Sequence, residues 1–311
     1  MPNEIVAAPG VAVCVLTRLR PLGLNRTLEG IAGLDLSRDD YSRLRVIVVD
    51  NDAELSAKTV CDRLRPQYRW PLDYIVEPIS GIPHARNRAL DSAAFIDDVI
   101  AFIDDDEVPA SAWLSELLRV RREYTADVVF GPVGPYFPDP VPGWIERGKF
   151  FQRETHPTGS VCAVGATGNV LISTYILRES NLRFDESDRF NGGSDTVFFK
   201  RVHQAGYRMV WADNAFAAEW IPNSRTTIGW LARRYFRNGS NDGRVESLPR
   251  RLFVAALAIA RVVLGLACAP LFLPFGRHRF VIGVKWICYG MGLLHGAAGK
   301  RFDEYQVIRS V

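Results

Sequence analysis

The run Asp104-Asp105-Asp106-Glu107 follows directly on an apolar stretch, Val99 to Ile103. Successive carboxylates at the end of a strand repel one another unless a cation or a donor group lies among them. Hard cations such as Mg²⁺ and Mn²⁺ take oxygen ligands and are commonly shared between one or two carboxylates and a substrate's phosphates. On an extended backbone Asp104 and Asp106 project to one side and Asp105 to the other. The run therefore reads as a metal–diphosphate site. The competing reading is a solvated acidic loop leading into a helix near Ala110, where acidic side chains favour the N-terminus.

Something must hold these carboxylates at an edge. Val11–Leu16, Val46–Val49, Tyr74–Val76, Val99–Ile103 and Val128–Phe130 read as strands, with helices at Asn25–Leu34, Ser56–Leu64, His84–Ala94 and Ala110–Tyr124 between them. Strands alternating with helices point to βαβ units and a parallel-rich α/β sheet. Ligands of such sheets sit at the carboxyl ends of the strands. Polar clusters fall at those ends: Thr17-Arg18, Asp50-Asn51-Asp52, and Asp104 to Glu107. Gly131 to Pro142 is rich in Gly and Pro and reads as a loop or a transition. Further strands are expected at Val161–Val164, Asn169–Ile172, Met209–Trp211 and Ala215–Ala218, and helices at Asp195–Gln204 and Thr227–Arg237.

With 311 residues, 48% hydrophobic and 23% charged, the chain has the make-up of a packed globular protein. Its net charge of +3 hides an asymmetry: residues 225–301 carry 13 Lys/Arg against 2 Asp/Glu, and the rest 25 against 33. A basic end suits phosphate groups or an anionic membrane surface. The five Cys form no C-x-x-C pair and sit among apolar or small neighbours, as reduced, buried thiols do. No basic-then-apolar signal segment opens the sequence, so a cytoplasmic protein is expected.

The C-terminal part is different in kind. Leu252 to Phe275 is almost wholly apolar, broken by Arg261, Pro270 and Pro274, and Phe280 to Ala298 is apolar apart from Lys285 and His295. These lengths approach the ~20 residues that span a bilayer. Arg261 in mid-segment would cost roughly 2.5–3.5 kcal/mol at the bilayer centre. Flanking Arg250, Arg251, Arg277, Arg279, Lys300 and Arg301 suit the cytoplasmic side. Helices lying in the interface or a shallow hairpin fit best; a two-helix span and a soluble helical cap are the other readings.

Taken in order, VIVVDND, GIPHARNRAL, AFIDDDEVP with Trp113, GPV, TGNVLI, GGSDTVFF, GYRMVWAD and E-W-I-P-x-x-R-T-T-x-x-W-L-x-R-R-x-F-R-x-G resemble the family 2 glycosyltransferases of GT-A fold. The likeness runs from about Val11 to Gly239. It is nearest the bacterial exopolysaccharide enzymes of the succinoglycan glucosyltransferase type, a subgroup the apolar tail also fits. The resemblance implies a Rossmann-like mixed sheet flanked by helices, a nucleotide-sugar donor, a divalent metal (Mg²⁺ or Mn²⁺) and an inverting transfer. Residues 1–107 would form the nucleotide-sugar half, 108–240 the acceptor and catalytic half, and 241–311 a membrane-associating tail.

Carried over residue by residue, the resemblance makes Asp104 and Asp106 metal ligands, with Asp104 also able to hold ribose and Asp105 to share either role. Asp50, with Asp52 and Thr17, falls at the nucleoside site, where a carboxylate accepts from a uracil N–H; a plain Asn/Asp turn is the alternative. Arg86 and Asn87 open a helix after Gly81 and Pro83, and the family's matching segment touches nucleotide; the alternative is a surface Arg on an amphipathic helix. Asp195 matches the catalytic base, although the family's usual Glu-Asp pair here reads Ser194-Asp195, and an Asp at a helix start is often only a cap. Gly192-Gly193 would make a flexible approach to it. Phe198, Phe199, Val202 and His203 read as packing. Glu219 stands where many relatives carry a further metal ligand, and a structural role serves it equally well. Arg225, Trp230, Arg233 and Arg234 have helical spacing and would hold the donor diphosphate or a lipid diphosphate, or else form a basic membrane-facing helix. Gly168 and Asn169 line the family's sugar pocket, or make a tight turn.

The expectation is a UDP-hexose, glucose foremost, transferred to a polyprenyl-diphosphate-linked oligosaccharide at the cytoplasmic face of the bacterial inner membrane, with no nucleic-acid partner. A nucleotidyltransferase and a non-catalytic sugar-binding membrane partner are the rivals.

Overall fold

The computed structural model describes residues 8–187, 193–244 and 247–300; Gly192 and Arg301, named above, lie outside them. Ten strands and ten α-helices follow in order among the described residues: β1 (Gly10–Thr17), α1 (Pro21–Ala32), β2 (Arg43–Asp50), α2 (Lys58–Leu64), β3 (Leu72–Val76), α3 (Ile82–Ala93), β4 (Val99–Asp104), β5 (Glu107–Pro109), α4 (Trp113–Tyr124), β6 (Val128–Phe130), β7 (Val133–Tyr136), α5 (Gly143–Gly148), β8 (Asn169–Ser173), α6 (Thr174–Ser180), α7 (Ser194–Gln204), β9 (Met209–Trp211), β10 (Ala217–Trp220), α8 (Ile228–Asp242), α9 (Leu248–Phe272) and α10 (Arg277–Ala297).

Seven strands form one sheet in the order β3-β2-β1-β4-β8-β6-β9. β3, β2, β1 and β4 run parallel, β8 is antiparallel to both β4 and β6, and β9 is parallel to β6. β1 is a continuous apolar run because both of its faces are covered. Val11, Val13 and Val15 enter one core with α1 and α4, while Ala12 and Cys14 enter the other with α3 and α7. α1 places Leu24, Leu28 and Ile31 on one side at i, i+4 and i+7 spacing, and all three are fully buried. Each such burial is worth about 1.5–3 kcal/mol. α4 ends where Thr125 turns into the left-handed region at φ 48°.

A second, three-stranded sheet, β5-β10-β7, sits beside the first. It rests on two segments that sequence reasoning read otherwise. β7 forms within the Gly/Pro-rich stretch, because β10 pairs with it in parallel. β5 begins at Glu107, so the acidic run turns back into a strand, and helix α4 starts only at Trp113. Conversely, the strand expected at Val161–Val164 is a loop with one isolated bridge, Val161 to Val210. The run is apolar, but its side chains have no second sheet to enter: Val161 and Val164 are exposed.

The last helices build a third core. Trp144 and Ile145 of α5, Phe151, Ile221, Leu231 and Tyr235 of α8, and Val281 of α10 pack together. α10 runs between α8 and α9 at backbone-to-backbone range. A Cβ on Gly292 would lie 2.1 Å from the Phe236 carbonyl oxygen, and one on Gly296 2.2 Å from that of Ser240. On the other flank Gly283 abuts Ala269. The polar residues of α10 face α8: His295 Nδ1 is 2.9 Å from Ser240 Oγ, and Lys285 lies over the Tyr235 ring. α9 is the outer helix. Leu252, Phe253, Ile259, Val263, Leu264 and Leu266 are all exposed, and Arg261 turns back over the Tyr289 ring. Leu248–Phe275 and Arg277–Ala297 are long and apolar enough to cross a membrane.

Candidate active site

The acidic run sits on a turn braced from α1. Asp104 ends β4, Asp105 and Asp106 form the turn, and Glu107 opens β5. Gly23 allows the first turn of α1 to approach the turn's backbone; a Cβ there would lie 2.6 Å from the Asp105 carbonyl oxygen. Thr27 Oγ donates to the Glu107 carbonyl at 2.7 Å. The tight turn removes the alternation expected of an extended run. Asp105 and Asp106 share one guanidinium, that of Arg20, at 3.1 and 3.2 Å.

Each carboxylate has its own environment. Asp105 is buried, accepts from Thr17 Oγ1 at 2.8 Å, and is pushed up to about 6 by burial against the pull of Arg20. Asp106 accepts from Arg20 and, at 3.2 Å, from Arg225. Glu107 is wholly buried, and neither carboxylate oxygen has a hydrogen-bond partner; burial and the neighbouring Asp104 hold its protonation well above the usual range. Asp104, only partly buried, receives no side-chain hydrogen bond among the described residues and is raised to about 6 by burial and then by Asp106. Opposite it stands Gly168, whose Cβ would lie 2.9 Å from Glu107 Oε1 and 3.0 Å from Asp104 Oδ2. Only a residue without a side chain leaves that space clear.

Three arginines from distant segments frame the carboxylates. Arg225 also reaches Glu219, at 3.4 Å, and Arg153 pairs with Glu219 at 2.7 Å and lies 3.9 Å from Glu107. Sequence reasoning missed Arg20 and Arg153 as members of this group; Glu107 belonged to the acidic run but was given no role of its own. The only signal for Arg20 was its place just after β1, and Arg153 had none. Glu219 is thus bound to two guanidiniums. Trp230 and Arg234 share a face as their spacing requires: Trp230 stacks on Phe151 at 5.6 Å, and Arg234 lies over both rings with a buried, unpartnered Nη1.

Asp195 sits in the first turn of α7, after Gly193 at φ +109°, and its Oδ1 accepts from the Thr196 N–H. The link to the acidic turn is Arg86. Its Nη1 donates to Ser194 Oγ at 2.8 Å, its Nη2 is 3.9 Å from Asp195 Oδ2, and its charge acts on Asp104. Arg86 is buried, not a surface residue of α3. Its neighbour Asn87 clamps the segment before α7, exchanging hydrogen bonds with the Phe184 backbone at 2.9 and 3.0 Å. Phe198, Phe199 and Val202 are core, as read from their pattern, and His203 is exposed on α7.

The remaining expected site residues are held by the fold itself. Asp50 is fully buried and accepts from the Ala57 N–H and the Tyr74 hydroxyl, each at 2.8 Å; burial is the main cause of its raised pKa. Asp52 accepts from the Ser56 N–H and shapes the turn. Asn169 accepts from Trp113 Nε1 at 2.7 Å and donates to the carbonyls of Pro132 and Ala215. These bonds use both amide hydrogens, so Asn169 is a wall of the site.

The open carboxylate of Asp104, beside a space kept clear by Gly168, and the second oxygen of Asp106, whose Oδ2 is held by Arg20 and Arg225, are oxygen donors of the kind a hard cation takes. Among the described residues no three His, Cys, Asp or Glu side chains form a ready metal group.

Residues 12–180 match the Glycosyl transferase family 2 profile. The succinoglycan biosynthesis protein ExoM of Rhizobium meliloti (strain 1021) is 33% identical over 310 residues, covering 98% of this chain and 97% of that one. Among solved structures, the S. aureus TarS fragment 1–349 superposes with a TM-score of 0.53 at 15% identity over 90% of each chain. The mannosyltransferase PcManGT of Pyrobaculum calidifontis, solved with GDP-Man and Mn²⁺, gives 0.55 at 16% identity, covering 95% of this chain and 75% of that one. The solved structures share the fold, and the profile over more than half of the chain together with the identity over nearly its whole length places the chain among the family 2 glycosyltransferases, as an enzyme of the ExoM type.

Proposed function

We propose that the protein is an inverting, metal-dependent hexosyltransferase of exopolysaccharide biosynthesis, using a UDP-hexose, foremost UDP-glucose, as donor. The Asp104 carboxylate, which receives no side-chain hydrogen bond among the described residues and faces the space beside Gly168, is the observation that carries this reading, with Arg86 3.9 Å from Asp195. The 33% identity to a succinoglycan biosynthesis protein supports the process. TarS, solved with UDP and with UDP-GlcNAc, supports the donor class.

In this mechanism Asp104 and Asp106 would hold Mg²⁺ or Mn²⁺, which when bound supplies positive charge beside the leaving diphosphate. Arg20 and Arg225, both paired with Asp106, would offset the same charge. Asp195 takes the proton of an acceptor hydroxyl while that oxygen bonds to the anomeric carbon. The bond from the anomeric carbon to the diphosphate breaks in the same step, so UDP leaves and an α-linked donor gives a β-linked product. Arg86, by hydrogen bonding Ser194 and facing Asp195, orients the base.

The acceptor in this reading is a polyprenyl-diphosphate-linked oligosaccharide at the cytoplasmic face of the bacterial inner membrane. What supports it is the exposed apolar face of α9 on a hairpin that shares a core with α8, the helix carrying Trp230 and Arg234. Such a face lies in the interface with its apolar side toward the acyl chains. The test is UDP release from a panel of UDP-sugars with Mn²⁺ or Mg²⁺ and lipid extract, wild type against Asp195→Asn. Metal-dependent release that falls at least a hundredfold in Asp195→Asn is expected. UDP binding without release from any sugar points to a non-catalytic binding partner, and absence of UDP binding overturns the donor assignment.

A further inference from the structure

In the small sheet, Glu219 of β10 lies directly opposite Glu107 of β5. Side chains opposed in this way share a face about 4.5–5.5 Å apart, and like charges there destabilise a sheet. Both residues are buried. What meets them is a guanidinium: Arg153 Nη2 is 2.7 Å from Glu219 Oε2 and 3.9 Å from Glu107 Oε1. The other Glu219 oxygen accepts from Arg225 Nη1 at 3.4 Å, and Arg225 reaches on to Asp106 Oδ2 at 3.2 Å. Glu219 therefore joins two arginines that come from different segments, one from the connection after α5 and one from the approach to α8.

We propose that Glu219 is a positioning residue, which aligns Arg153 and Arg225 on the donor's diphosphate, and that it is not a ligand of the metal. The inference rests on the transferase reading and assigns Glu219 and Arg153 within it. Each oxygen of Glu219 already carries a guanidinium, so a metal ion bound there would lie against two positive groups in a buried setting, where repulsion is strong. Asp104 and Asp106 by themselves balance a divalent cation. The charge that grows on the leaving diphosphate needs partners beyond it.

Arg153 has the free donors for that role. Its hydrogen bond to Glu219 is its only one among the described residues, and its side chain is partly exposed. A guanidinium presents several N–H groups in a rigid fork that matches phosphate oxygens. The backbone is held two residues earlier, where buried Phe151 packs on Phe137 at 5.7 Å and on Trp230 at 5.6 Å. Trp230 also carries the Arg225 head at 5.9 Å from its ring. One aromatic thus braces both arginines from behind, and Glu219 sets their heads side by side. Without the Glu219 charge no hydrogen bond among the described residues keeps Arg153 there.

Calorimetric titration of the full chain with UDP and with UMP in Mg²⁺ buffer tests this, together with Mn²⁺ titration followed by water-proton relaxation without nucleotide. Glu219→Gln removes a negative charge near the diphosphate, so charge alone would tighten UDP. Loss of positioning gives the opposite sign: UDP should weaken about tenfold, as when a charged hydrogen bond is lost, while UMP, which lacks the second phosphate, stays within about twofold. Mn²⁺ affinity should stay within about threefold, since no ligand oxygen is removed. Arg153→Lys keeps a positive charge between Glu107 and Glu219 and so preserves the fold. Its single ammonium cannot serve Glu219 and a phosphate as a fork does, and UDP should again weaken about tenfold with UMP unchanged. UDP held by either variant as tightly as by wild type, equal losses for UDP and UMP, or a loss of about tenfold in Mn²⁺ affinity in Glu219→Gln overturns the assignment. A wild type that binds neither nucleotide would instead bring down the donor reading beneath it.

Discussion

Replacing Asp104 by Asn should make the metal-free enzyme more stable, not less. In the fold the Asp104 carboxyl is raised from 3.8 to about 6, first by burial and then by Asp106, with Arg86 and Arg153 only partly offsetting this. A rise of that size corresponds to about 3 kcal/mol. Because the carboxyl is partly exposed, roughly 1–3 kcal/mol is the working range. The folded-state value lies above the unfolded one, so proton binding favours the fold. The cost of the charge is absent below about pH 4, grows between about pH 4 and 6, and is complete above. The isosteric amide carries no charge and avoids it. In EDTA at pH 7.5, calorimetry should show Asp104→Asn melting roughly 2–5 °C above wild type, with the difference closing toward pH 4. Adding Mn²⁺ and UDP should reverse the order. Saturating ligand at a hundred times its Kd stabilises wild type by about 2.7 kcal/mol, and the variant, short of a ligand oxygen, should gain little. A variant that melts below wild type at pH 7.5 without metal, or a gap independent of pH, would refute the reasoning. It would mean that protein donors satisfy Asp104 and no cation is wanted there.

Two other outcomes follow from the same geometry. Arg86→Met removes the donor to Ser194 and the charge facing Asp195, so kcat should fall about ten- to a hundredfold while UDP affinity measured by calorimetry stays within about threefold. A large loss of UDP affinity would return Arg86 to the nucleotide. Exchanging two exposed residues of α9, Phe253 and Leu264, for Asp removes apolar contacts worth about 1.5–3 kcal/mol each if that face enters a bilayer. Co-sedimentation with anionic liposomes should drop at least a hundredfold with melting temperature unchanged, and undiminished sedimentation would remove α9 from the membrane contact.

What was legible in the sequence is what depends on near neighbours. Apolar runs of strand length alternating with amphipathic stretches announced the βαβ order, because side-chain periodicity needs only residues within a turn or two. The acidic run stood out because four carboxylates in succession are unusual after a buried strand. The apolar helices α9 and α10 announced themselves by length alone. β7 escaped notice because its pairing is set by β10, more than eighty residues on, and Val161–Val164 looked like a strand although nothing pairs along it beyond one bridge.

The site divides in the same way. Asp104, Asp106 and Asp195 could be named from motifs, and α8 set Trp230 and Arg234 on one face because helical spacing does so anywhere. Arg20, Arg153 and Arg225 come to the carboxylates from 85, 66 and 119 residues away along the chain in their respective pairings. The burial of Asp50 behind Ala57 and Tyr74, the orphaned oxygens of Glu107, and the row of strand ends from Asp50 to Trp211 likewise exist only once the sheet has closed. Which carboxylate is neutralised, capped or left open is a matter of ångströms between segments that are strangers in sequence. Coulomb and desolvation energies fall with that distance and with burial, so they are decided by the tertiary structure, while the residues able to respond to them were determined by the sequence.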